Sequence, residues 1–245
     1  MKFGITQSFS CSYLPDEEER LLVYAEEDPF LSSRYSQLIQ AGFRRSGEQI
    51  YRPHCVNCSK CQSVRIPVDV FVPSRSQKRV LKQNSSLSVR FTNTISAEYY
   101  PLYERYITER HSDGSMYPPS QVQFDNFIKC TWMSPFYLEA YDGDKLVAVA
   151  VTDVLEDNTS PDTLGTVRHS ALSALYTFFD PDYYASSLGT WMILMQIEQA
   201  KLAEHQYVYL GYYVEGCQKM SYKHKFYPFE QFIDNQWCLF TKKPA

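Results

Sequence analysis

Two apolar runs separated by three turn residues limit this chain more than any other feature. FYLEAY (136–141) and KLVAVAVTDVL (145–155) flank Asp142-Gly143-Asp144. Side chains of a strand alternate between its faces, and a short Asp/Gly turn reverses the chain within a few residues. The pair therefore predicts an antiparallel hairpin too apolar to stand at a solvated edge, so further layers must cover it.

The chain around the hairpin supplies those layers. Apolar spacing predicts helices over Phe30–Gly42, with Gly42 as the stop, and over Ala97–His111, Gln123–Trp132 and Thr190–His205. Strands are expected at VRIPVDVFV (64–72), Ser86–Ile95, Ser170–Phe179, YVYLGYY (207–213) and Trp237–Phe240, while residues 1–13 read as extended. The acidic stretch Asp16–Asp28 reads as a turn leading into a helix closed by Pro29. Helices, then a meander, then strand–helix–strand, predict an α/β fold with one mixed sheet flanked by helices. No run reaches the ~20 apolar residues of a membrane span, and MKFGITQSFSCSY has no apolar signal core, so a cytoplasmic chain with reduced thiols is expected.

Charge is unevenly placed. Residues 31–90 carry eleven basic side chains against Glu48 and Asp69, within a chain whose net charge is −4. Ser74 and Gln77 form a capping box, and behind it Arg75, Lys78, Arg79 and Lys82 fall at i, i+3, i+4 and i+7. Four cations on one helix face with no acid among them predict a polyanion partner. Just upstream, Arg44–Ile66 holds Cys55, Cys58 and Cys61 two residues apart, flanked by Arg44, Arg45, Arg52 and Arg65. Such thiol spacing suits a metal, and arginine forks suit carboxylate or phosphate; unligated, partly buried thiols are the competing reading.

The strand order of the second half is that of the N-acetyltransferase (GNAT) fold. Its phosphate-binding turn normally carries closely spaced glycines, whereas DPDYYASSLGTW offers only Gly189 beside two aspartates, which argues against acetyl-CoA. CSYL, GFRRSG (42–47), YRP (51–53), VRI (64–66), SRSQKR (74–79), LGTW (188–191) and YLGYYVEGCQKMSYKHKFYPFE (209–230) resemble, in order, the aminoacyl-tRNA–protein transferases, in the spacing of the bacterial aspartate/glutamate leucyltransferase branch. The resemblance implies a GNAT-like domain, here 91–245, behind a smaller cysteine-bearing domain, here 1–90. It implies transfer of leucine from leucyl-tRNA to the α-amine of proteins beginning with Asp or Glu, with arginyl transfer as the variant within the family. A non-catalytic tRNA- or zinc-binding module is the reading from another class.

On that resemblance the roles fall as follows. Arg75, Lys78, Arg79 and Lys82 would meet tRNA phosphates. Arg44 or Arg45 would pair with the acceptor's acidic side chain, with Lys219 and Lys223 as rivals for either anion. Tyr209, Tyr212, Tyr213 and Tyr222 would line the acceptor end. Attack of an amine on an activated ester requires no cofactor and no covalent enzyme intermediate. Cys11 would join Cys55, Cys58 and Cys61 around a structural zinc or iron–sulfur centre, although Leu14 of CSYL stands where relatives resemble a second thiol. No residue stands out in sequence as the general base.

Overall fold

The computed structural model describes residues 1–114, 116–156 and 170–241. In chain order they form β1 (Phe3–Ile5), β2 (Phe9–Ser10), β3 (Glu18–Glu19), β4 (Leu21–Tyr24), α1 (Leu31–Leu38), β5 (Arg44–Ser46), β6 (Gln49–Pro53), β7 (Cys61–Pro67) and α2 (Arg75–Gln83). There follow β8 (Ser88–Thr92), α3 (Tyr99–Arg110), α4 (Gln121–Ile128), β9 (Phe136–Asp142), β10 (Lys145–Glu156), β11 (Ser170–Phe179), α5 (Leu188–Leu202), β12 (Tyr207–Val214), β13 (Phe229–Ile233) and β14 (Gln236–Phe240).

The architecture is the expected mixed one. Eight strands form one sheet in the order β14-β13-β7-β12-β11-β10-β9-β8, and four form a smaller sheet, β1-β4-β6-β5. Every pairing in the large sheet is antiparallel except β11 with β12, which α5 joins by a crossover. The β9–β10 hairpin sits deep in the sheet, and its two faces part by alternation. Leu138, Ala140, Ala148 and Ala150 pack against Trp191 and Met192 of α5 on one side. Tyr137, Tyr141, Val149 and Val151 pack against Tyr99, Tyr103 and Phe124 of α3 and α4 on the other. Each fully buried Val, Leu or Phe among them contributes about 1.5–3 kcal/mol, and each Ala less.

Residues 1–90, expected as a separate cysteine-bearing domain, contribute strands to both sheets. β7 lies inside the large sheet, between β12 and β13, and β8 forms one of its edges. Val64 and Ile66 are fully buried on β7, which neighbours on both sides make possible. The small sheet ends at Pro53 and shares a core with the large one: Tyr35, Ile39 and Ile50 pack with Leu155, Ala171 and Tyr209.

Two local readings also change. The acid-rich stretch forms β3 and β4 rather than a helix, because Leu21–Val23 find ladder partners in Pro53–Tyr51 and Glu18–Glu19 pair with Phe9–Ser10. β13 was not anticipated; it pairs with β14 and, through Glu230 and Gln231, with Arg65 and Val64. At the β5–β6 turn, Gly47 has φ +55°, and a Cβ there would lie 2.0 Å from the Asn126 carbonyl oxygen, so the small sheet presses directly on α4.

Candidate active site

The one parallel pair of the large sheet among the described residues is short. β11 and β12 are in register at Ala171–Ser173 and Tyr207–Tyr209, and then they diverge. Beyond the last pair β11 follows β10 and β12 follows β7. The carbonyls and amides facing into such a fork have no ladder partner, so it must be filled by side chains or by a ligand.

Arg44 enters the fork from β5. Its Nη2 donates to the Ala174 carbonyl of β11 at 2.9 Å. On the other side lies Gly211 of β12, at φ +81°, where a Cβ would stand 3.4 Å from Nη2. A side chain there would crowd the guanidinium, which explains the glycine inside an otherwise bulky strand. Arg44 is 5% exposed, yet its Nη1 has no hydrogen-bond partner. An unpaired buried donor on a charged group is expensive, about 1–3 kcal/mol or more, and native proteins keep few of them.

A second cation lies beside it. The 3-10 turn Gln218–Lys225 follows β12 and folds Lys223 back so that its Nζ donates to the Tyr212 carbonyl, next to Gly211, with Met220 Sδ at 3.4 Å. Lys223 is 4% exposed. Burial first, and then the positive charge of Arg44, push its amine down to about 7. Among the described residues no carboxylate forms an ion pair with Lys223 or Arg44. Two buried cations without a counterion make a site for an anion.

Buried hydroxyls complete it. Tyr35 of α1 and Ser173 of β11 sit close together near Arg44, and neither is satisfied by any other group. Ser63, opposite Tyr212 in the β7–β12 ladder, is likewise buried and unsatisfied. Ser63 and Tyr212 also wall a cavity of about 250 Å³ that reaches Arg52 and Cys61. None of the three hydroxyls was singled out in sequence. Gly211 in YVYLGYY was the one available signal of close backbone approach there.

The other expected residues take different places. Arg45 points away from the fork into a buried ion pair: Nε donates to Asp153 Oδ2 at 2.8 Å, Nη2 to Oδ1, and Nη1 to the Gly47 carbonyl. Burial opposes its charge, but Asp153 overrides this and raises its pKa. With every nitrogen engaged, Arg45 has nothing left for an acceptor. Tyr212 donates its hydroxyl to the Gly42 carbonyl at 2.9 Å, tying β12 to the small sheet. Tyr213 stacks on His224 at 3.7 Å, and Lys219 pairs with Asp113 at the surface. Tyr222, 37% exposed, lies at the mouth of the site.

α2 adjoins the same turn. Its capping box is formed as expected by Ser74 and Gln77, and Gln77 Nε2 also donates to the Lys225 carbonyl at 3.2 Å. At the other end Asn84 Nδ2 donates to the Ser186 carbonyl, just ahead of α5. Arg75, Lys78, Arg79 and Lys82 are all exposed, and none makes an ion pair among the described residues.

The cysteines gather without assembling the expected tetrahedral set. Burial, with Cys11, Cys55 and Cys58 nearby, raises the Cys61 thiol to about 12. Cys55 Sγ instead donates to the Arg20 carbonyl at 3.9 Å, and Cys61 is held in the β7 ladder opposite Val214. Among the described residues no group of three or more His, Cys, Asp or Glu side chains is arranged to hold a metal ion. No step of the chemistry below is routed through a metal.

Comparison with known proteins bears on this arrangement. Residues 9–79 match the family described as arginine-tRNA-protein transferase, N terminus, and residues 98–233 match its C-terminus counterpart. An aspartate/glutamate leucyltransferase of Pseudoalteromonas atlantica is 51% identical over 99% of both chains. One of Aeromonas salmonicida is 48% identical over 100% of this chain and 97% of that protein. Among solved structures, the C-terminal domain of a putative lysylphosphatidylglycerol synthetase from Agrobacterium fabrum superposes with a TM-score of 0.51 at 10% identity, over 91% of this chain and 82% of that one, a likeness of fold alone. A fork holding two unpaired buried cations beside an exposed basic helix thus lies within a chain similar along its whole length to named aminoacyl-tRNA-dependent transferases: the chain belongs to the arginine-tRNA-protein transferase family, alongside its aspartate/glutamate leucyltransferases.

Proposed function

We propose that this chain transfers leucine from leucyl-tRNA to the α-amine of proteins whose first residue is Asp or Glu. The observation that supports this most is Arg44, buried at the strand fork with a free Nη1 donor and, among the described residues, no carboxylate partner. An acidic first side chain would supply the missing partner, and a bidentate guanidinium–carboxylate pair fixes orientation as well as charge. The ester of an aminoacyl-tRNA is already activated, so positioning of amine and ester supplies most of the rate and no cofactor or acetyl-CoA takes part. The product would carry an N-terminal leucine and so be marked for degradation by the N-degron pathway. Leucyl-tRNA places the enzyme in the cytoplasm, and no helix among the described residues is long and apolar enough to cross a membrane.

The deciding measurement supplies purified chain with tRNA charged with labelled leucine or labelled arginine and a peptide beginning with Asp, Glu, Asn or Ala. Label is expected from leucine onto Asp and Glu peptides. Preferential arginine transfer, or no transfer to any peptide, would overturn the reading.

The basic face of α2 is assigned to the phosphates of the tRNA acceptor stem. Replacing Arg75, Lys78, Arg79 and Lys82 by Ala should raise KM for leucyl-tRNA with little change in kcat. It should also flatten the slope of log KM against log salt by up to about 3, since each phosphate contact contributes roughly 0.7–0.9. An unchanged salt slope would move the tRNA off this helix.

A further inference from the structure

Lys223 and Arg44 meet adjacent residues of β12, Tyr212 and Gly211, so the two buried cations stand side by side in the fork. Two such groups cannot both be charged without an anion between them. Around Lys223 the facing titratable groups are Arg44 from β5, Cys61 from β7, Cys217 after β12 and Tyr222 on its own turn, 5.7 Å from Nζ to ring centre. None is a carboxylate. Near neutral pH the free enzyme therefore holds a lysine amine poised to give up its proton, and so to act as a base, next to a permanent cation.

We propose that Lys223 takes the proton from the acceptor's α-ammonium, and that the acceptor's own side-chain carboxylate, bound between Lys223 and Arg44, triggers this by stabilising the charged lysine. The inference rests on the acceptor reading given above. In an N-terminal Asp the carboxyl carbon is three bonds from the α-nitrogen, so one pocket reaches both groups. Asn and Gln have the same shape but bring no charge and leave the lysine neutral. Selectivity for acids is then built into the deprotonation step as well as into binding.

The proton inventory closes. The Lys223 lone pair forms an N–H bond while the α-ammonium loses one, and the freed nitrogen lone pair attacks the ester carbonyl carbon. The C–N bond forms, the C–O bond to the tRNA ribose breaks, and the surplus proton on the attacking nitrogen leaves with that ribose oxygen. When the product and its carboxylate depart, Lys223 becomes neutral again by releasing its proton to water.

The test separates proton transfer from a packing role. A peptide whose first residue is replaced by a succinyl group presents the carboxylate without the α-amine, so the enzyme must draw its proton from buffer. Calorimetric titration at pH 8 in two buffers of different ionisation enthalpy should show uptake of about one proton by the wild type and none by Lys223→Met. In turnover at pH 7 the Lys223→Met variant should lose about 10²-fold in kcat/KM for an Asp peptide, the range of general base catalysis. About tenfold should return by pH 9, as an α-amine with an ordinary pKa near ~7.7–8.0 deprotonates unaided. Lys223→Arg keeps a cation and a donor for the Tyr212 carbonyl but cannot become neutral. It should bind the succinyl peptide yet turn over as poorly as Lys223→Met. Full activity in Lys223→Arg, or equal proton uptake in wild type and Lys223→Met, would overturn the inference while leaving leucyl transfer intact. Failure of the wild type to leucylate any Asp peptide would remove both.

Discussion

Arg44→Lys is expected to lower kcat/KM for an Asp-starting peptide by about 10²–10³-fold, a loss of about 2.7–4 kcal/mol. The slow reaction of the corresponding Asn peptide should hardly change. The guanidinium spans the fork: one nitrogen holds the Ala174 carbonyl while another remains open. An ammonium on a shorter, unforked chain cannot do both. The discrimination ratio between Asp and Asn should therefore collapse, which a general loss of folding would not produce. Stability should move little, or upward in Arg44→Met, because the wild type already leaves a buried donor unpaired. Competition kinetics with mixed Asp and Asn peptides measures the ratio directly, and a preserved ratio in Arg44→Lys would remove Arg44 from acceptor selection.

The neighbouring arginine should behave in the opposite way. Asp153→Asn leaves the Arg45 guanidinium, which has no exposed surface, without its counter-charge. Breaking a buried pair by removing one partner destabilises by about 3–5 kcal/mol. At roughly 2–4 °C per kcal/mol for a chain of this size, Tm should fall by about 10 °C. Replacing both partners together, Arg45→Met with Asp153→Leu, should recover most of that loss, since an apolar pair of similar volume avoids desolvating two charges. The double variant should also keep the Asp-over-Asn preference. Calorimetry on the three proteins decides the first claim, and a single Asp153→Asn variant with unchanged Tm would refute it.

These contrasting expectations for Arg44 and Arg45 mark where the sequence stops being informative. Features set by local chemistry were legible: the Ser74/Gln77 capping box formed, Gly42 ended its helix with φ +81°, and the hairpin around Gly143 closed. Features set by distant partners were not. GFRRSG gives two adjacent arginines no distinguishing context, because Asp153 and Ala174 lie more than a hundred residues away. The run DEEERLLVY looked helical because its acids suit a first helical turn, yet β6 offered Leu21–Val23 a ladder. Lys223 stood in the sequence only as a rival, with Lys219, for an anion. Its chemistry comes from burial, which no local pattern in SYKHKF records. The cysteines show the same limit: Cys11, Cys55 and Cys58 do come near Cys61, but spacing says nothing of the Arg20 carbonyl that Cys55 meets just ahead of β4.

The position of β7 has a consequence during synthesis. Its neighbours β12 and β13 are translated about 140 and 160 residues later. Until they leave the ribosome, Val64 and Ile66 belong to an apolar strand with both edges open, the kind of segment that pairs with the wrong chain. Pro67 at its end and Arg65 within it hinder such pairing, and Arg65 is neutralised only when Glu230 arrives. This interior part of the large sheet, and with it the fork that holds Arg44 and Lys223, therefore closes late. A nascent chain stalled before Tyr207 would carry the basic helix of Arg75–Gln83 but not the fork, so the two features arise at different stages of synthesis.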